Sequence, residues 1–126
     1  MVFENDRVRV LHFTELGHSK LPMHSHSAYV TVGFTTDHSK YTFPDGKTSD
    51  DRTKAGGATY SKGLTHAYEN LSGTASESVM VELKKPGASG AKTMSKAHDA
   101  TWADARKHLP ENIGDKPIDV IVIELK

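Results

Sequence analysis

Pro22-Met23-His24-Ser25-His26, with His66 forty residues beyond, holds the residue types best suited to chemistry in this chain. On an extended strand, side chains two apart point to the same face. His24 and His26 can therefore turn both imidazoles toward one point. A third imidazole from a neighbouring strand, His66, would complete a facial set for a divalent metal. Such a set binds at about 2.0–2.1 Å and leaves coordination positions open, which separates a catalytic or ligand-binding ion from a structural one. A solvated surface pair in a chain with eight histidines has the same spacing, and the pair alone does not choose between the two.

The elements that must carry these residues read as β throughout. Val8–Phe13 is a short β-rich run, Ala28–Phe34 is the strongest strand, and Val79–Leu83 is another. Gly17–Lys20 and Pro44–Lys47 read as turns, and Asp37–Lys40 as a hairpin turn leading into Tyr41–Phe43. If the pairing runs on unbroken from the histidine motif, Ala28, Val30, Val32 and Phe34 share the face of His24 and His26, and Tyr29 points the other way. Short strands at turn-rich spacing predict an all-β sandwich or barrel. Asp99–Lys107 has an N-cap aspartate and good helix formers, but the repeat described next argues for strand there.

Residues 54–84 laid on residues 96–126 without a gap give ten identities in 31 pairs, where ordinary composition gives roughly two. His66 pairs with His108, Asn70 with Asn112, and the ending Val79–Lys84 with Ile121–Lys126. The match stops short of the His-x-His strand, so the second copy cannot build a three-histidine site alone. Since the first copy reads as strand, the second is read as strand too. Domain boundaries follow: a barrel over residues 1–85, a Pro/Gly/Ser-rich linker over 86–95, and a partial repeat over 96–126 packed on the same barrel as added strands. Exchange with a dimer partner, or displacement of the first copy, are the other placements.

Composition narrows the classes. At 126 residues the chain has room for one domain with a core. Acidic and basic residues balance at sixteen each, which favours neither nucleic acid nor an anionic membrane surface. With no cysteine, disulfides and thiolate chemistry are excluded, and metal ligands must be His, Asp, Glu or backbone oxygen. No apolar run reaches membrane-spanning length and no secretory signal is visible, so the cytoplasm is the expected compartment. The start at Val2-Phe3-Glu4-Asn5 already reads as folded sequence, which is also what a chain trimmed of an export leader would show.

Of the remaining candidates, His12 reads as a satisfied histidine or a fourth nitrogen ligand, and His18 and His38 as solvated turn residues. Tyr68 shares the face of His66. It is read either as a catalytic general acid or as packing with its hydroxyl at the rim. Met23 is expected in the barrel packing, and Asp50-Asp51 and Glu111 as solvated charge.

Taken in order, Glu4–Val10, the His-x-His motif, Thr42–Lys47, Lys54-Ala55-Gly56 and His66–Asn70 resemble the small bacterial single-domain cupins over roughly residues 2–84. Gly17, His24, His26 and Gly33 fit that family's first motif; Gly56, Gly63, His66 and Asn70 fit its second. The resemblance implies a double-stranded β-helix, a jelly-roll barrel with its histidines in the lumen. It also implies one divalent transition metal (iron, manganese, nickel or zinc) on His24, His26 and His66. Two positions depart from the pattern. Val30 and Thr31 stand where the family has a glutamate ligand, and Ser61-Lys62-Gly63 lacks the second motif's proline. The expected function is a mononuclear metal enzyme of dioxygenase or isomerase type acting on a small organic molecule, working as a homodimer. The alternative is a small-ligand sensor with a degenerate site.

Overall fold

A computed structural model describes residues 2–85 and 122–124, and every described element is a strand or a connection between strands. The nine strands are β1 Phe3–Glu4, β2 Val8–Glu15, β3 Lys20–His26, β4 Tyr29–Gly33 and β5 Asp37–Thr42, then β6 Thr48–Thr53, β7 Ala58–Ser61, β8 Leu64–Asn70 and β9 Ser76–Leu83. They form two antiparallel sheets, one of order β1-β2-β9-β4-β7 and one of order β3-β8-β5-β6. The sheets face each other as a jelly-roll barrel, the architecture the resemblance implied. Among the described residues, no helix is long and apolar enough to cross a membrane.

Alternation decides what each face carries. On β2 and β9, Val8, Val10, Val79 and Val81 lie on one side and cluster with Phe3. These five are under a tenth exposed. Phe13, Met80 and Ser78 alternate with them and line the cavity between the sheets. The apolar core therefore lies on the face of the five-stranded sheet away from the lumen. Leu83, Phe34 and Ile123 pack against it. Sealing that face leaves the lumen free to hold a ligand.

Four expectations are corrected. Asp37–Lys40 is not a hairpin turn but the first part of β5, paired with β6 from Asp37 opposite Thr53 to Thr42 opposite Thr48. Residues 44–47 alone make the turn there, closed by Phe43 N–H donating to Lys47 O at 2.9 Å. The strand of the histidines does not continue into β4: β3 belongs to the four-stranded sheet and β4 to the other. The chain switches sheets at Ser27-Ala28, which resets the alternation, so Tyr29, Thr31 and Gly33 line the lumen. Residues 122–124 are irregular rather than strand. The rest of the partial repeat, with Trp102, Asp99–Lys107, His98, Glu111 and His108, lies outside the described residues.

Candidate metal centre

β3 is an edge strand, and its register against β8 shifts between Leu21 and His24. The shift falls at Pro22-Met23. A proline has no N–H to give a ladder, so an edge is where a strand tolerates one. Met23 is 46% exposed there and packs into neither barrel nor pocket mouth. After the bulge, His24 stands opposite His66 and His26 opposite Leu64. A neighbouring turn fixes the far end. Gly63 has a φ of 100°, and a Cβ there would stand 2.8 Å from His26 O, so only glycine lets the two backbones approach this closely. The glycine supplies the constraint that the absent proline does not.

The three predicted ligands come together. His24, His26 and His66 each offer a ring nitrogen, all within 4.8 Å of one another. The pairwise ring centroids are 4.6, 4.8 and 5.3 Å apart. Hydrogen bonds set two of the tautomers. His24 Nδ1 lies 2.7 Å from Pro22 O, and His26 Nδ1 lies 2.8 Å from Glu82 Oε1. A carbonyl and a carboxylate only accept, so both Nδ1 atoms carry hydrogen, which in the neutral ring leaves each Nε2 with the lone pair a metal needs. Glu82 is itself buried, and its other oxygen accepts from Nε and Nη2 of Arg9. A carboxylate behind a histidine raises its basicity and fixes its ring, as metal-binding histidines require.

His66 is different. It is 4% exposed, and neither ring nitrogen has a hydrogen-bond partner among the described residues. Burial, and then the neighbouring His24 and His26, push its pKa down to about 4. A buried imidazole with two orphaned nitrogens is costly unless something ligates it. Tyr41 stacks on it face to face, 5.0 Å between centroids at 9°. Three imidazoles, one without any other partner among the described residues, suit a divalent transition metal.

The cluster opens into a cavity of about 370 Å³ between the sheets. That is the size of a small-molecule pocket. Tyr29 lines it, 5.4 Å from the His26 ring, reversing the expectation that it points away. Thr31 lines it too, with a buried hydroxyl that has no partner among the described residues. A neutral hydroxyl thus occupies the region where the family carries glutamate.

Tyr68 lies on the lumen face, as its spacing from His66 predicted. Its hydroxyl donates to Asp37 at 3.4 Å and lies 3.3 Å from Ser76 Oγ. Burial holds its proton well above the usual phenol range and raises Tyr41 to about 12.

Several histidines fall outside the site. His12 lies on the other side of its sheet from the lumen, 2.8 Å from Glu77, and is not a fourth ligand. His38 is on β5, half-buried and 3.0 Å from Asp50, rather than solvated in a turn. His18 is in a turn as expected, with a φ of 61°.

Sequence reasoning missed Glu82, Arg9, Tyr41, Glu15 and Asp37. Glu82 had a signal: it is the one charge inside the apolar run Val79–Leu83, and a charge in such a strand needs a partner. The other four depend on which sheet each strand joins.

No family model matches this chain, and no curated protein does. Among solved structures, it is similar to the crystal structure of a cupin domain from Bordetella pertussis Tohama I. That likeness has a TM-score of 0.60 and 27% identity, covering 65% of this chain and 86% of that one. A protein from Neisseria meningitidis is similar at a TM-score of 0.45 and 19% identity, over 67% of this chain and 81% of its own. The barrel and the first of these likenesses define the class: this chain has the fold of a small bacterial cupin.

Proposed function

We propose that this cupin holds one divalent transition metal on His24, His26 and His66 and acts as a metal enzyme on a small organic molecule bound in the lumen. The observation that carries the reading is His66, buried in the cluster with both nitrogens unpartnered. When bound, such an ion supplies Lewis acidity or a redox centre. An all-imidazole set discriminates weakly among iron, manganese, nickel and zinc by type, so supply chooses the metal.

The chain's own residues have separable roles. Glu82, braced by Arg9, holds His26 with its Nε2 outward, and Pro22 O does the same for His24. The Tyr68 hydroxyl keeps its proton at neutral pH, so it serves as a proton donor rather than a base. Thr31 offers a dry hydroxyl to a ligand. One observation favours a second reading, a ligand-binding cupin without turnover. Thr31 in place of a carboxylate leaves the site with no anionic ligand to hold a metal through a catalytic cycle.

Elemental analysis of the purified protein tests the proposal, beside His66→Ala and a His24→Ala/His26→Ala double variant. The expected result is close to one transition metal per chain in the parent and a loss of at least tenfold in both variants. No metal in the parent after incubation with iron, manganese, nickel and zinc would sink it. Turnover lost in Tyr68→Phe at unchanged metal content favours the enzyme over the binding module.

A further inference from the structure

We infer that the lumen selects a small organic cation, a compact amine, seating its ammonium between Glu15 and Asp37 against the rings of Tyr41 and Tyr68. This rests on the proposal that the lumen is the ligand site and names the class of ligand it takes.

The lining carries the argument. Among the described residues, no lysine or arginine lines the cavity, while Glu15 and Asp37 do. A site for a carboxylate or phosphate would present a cation to it, most often an arginine fork. Apart from the ion proposed on His24, His26 and His66, whose charge is held at that one cluster, this lining offers an anion only histidines, which are neutral when they hold the metal. The two carboxylates come from opposite sheets, Glu15 ending β2 and Asp37 starting β5, so they face a shared space. The Glu15 carboxylate is half-buried and makes no hydrogen bond or ion pair among the described residues, its charged neighbours being His24 and Asp37. Among the described residues, the Asp37 carboxylate accepts only the long Tyr68 hydroxyl contact of 3.4 Å. Like charges in a partly dry space call for a countercharge.

The aromatic residues suit the same ligand. Tyr41 and Tyr68 meet edge to face, 5.6 Å between centroids, and both line the cavity. Ring faces attract an ammonium, more strongly where water is excluded. The same cavity receives His66, 96% buried with both nitrogens unpartnered, so the carboxylates and the metal cluster address one space. At about 370 Å³ it is large enough for a small organic molecule.

The test is calorimetric titration of the purified protein, its metal content measured on the same sample. The probes are benzylamine, benzyltrimethylammonium, benzyl alcohol and benzoate. Benzyltrimethylammonium carries the charge without a lone pair to offer a metal. Both cations should bind at least tenfold more tightly than benzyl alcohol. Benzoate should bind more weakly than either. Glu15→Gln and Asp37→Asn, each confirmed as folded by its thermal unfolding, should each weaken cation binding at least fivefold without changing metal content. Equal affinity for amine and alcohol, tightest binding by benzoate, or no cation binding at millimolar concentration would each overturn the inference. Cation binding by a protein that holds no metal would leave it standing and remove the metal proposal. Metal without cation binding would do the reverse.

Discussion

Glu82 shows how much a single residue can decide at this site. It is a charge in the interior, and it is tolerated because Arg9 and His26 satisfy both of its oxygens. Removing such a carboxylate typically costs 10- to 100-fold in metal affinity, because the histidine loses both its orientation and part of its basicity. Glu82→Gln should therefore weaken metal binding by about tenfold or more while leaving His24, His26 and His66 in place. Competition with a chromophoric chelator measures this, and unchanged affinity would mean that His26 needs no partner. The corresponding glutamate of the repeat, Glu124, is exposed, so the same residue type has a different role there.

At the scale of elements, two residues of the family motifs serve structure rather than chemistry. Asn70 is fully buried at the end of β8, and its Nδ2 donates to Glu15 O, Leu16 O and Thr74 O. Its Oδ1 accepts from Ser72 N–H and Oγ–H. It thus ties the turn after β2 to the turn after β8. Gly17 sits in the same knot, where a Cβ would meet Gly73 O. Asn70→Ala orphans several backbone groups at once, so a loss of about 2–4 kcal/mol in stability is expected from urea unfolding. Metal stoichiometry of the folded fraction should not change. A variant as stable as the parent would show that water replaces the side chain without cost.

For the whole molecule, the buried cluster links stability to pH. His66 titrates near 4 when folded against an ordinary value near 6.5. Between those values the unfolded chain binds the proton more readily than the folded one. Stability from this group is complete above pH 6.5 and is lost as pH falls toward 4, at up to ~1.4 kcal/mol per pH unit. Chelator-treated protein unfolded in urea at several pH values across that window should show the decline. His66→Phe, neutral throughout, should show a shallower one, and equal slopes would mean that His66 protonates freely in the folded state.

The sequence by itself determined the all-β architecture, through short apolar runs broken by turn residues, and the three candidate ligands. The ligand pair was legible because a strand's period of two is local: His24 and His26 share a face wherever the strand goes. Spacing within β8 placed Tyr68 beside His66 for the same reason. Period two also misled at Ser27-Ala28, because alternation holds only while a strand stays in one sheet. The tertiary structure decided that switch, and with it the inward turn of Tyr29 and Thr31. It decided as well that Glu82 stands behind His26, 56 residues away in sequence, and that Glu15 and Asp37 share the lumen. Such long-range pairings depend on which strands become neighbours, and that follows from burying the apolar face of β2 and β9 as a whole rather than from any one segment.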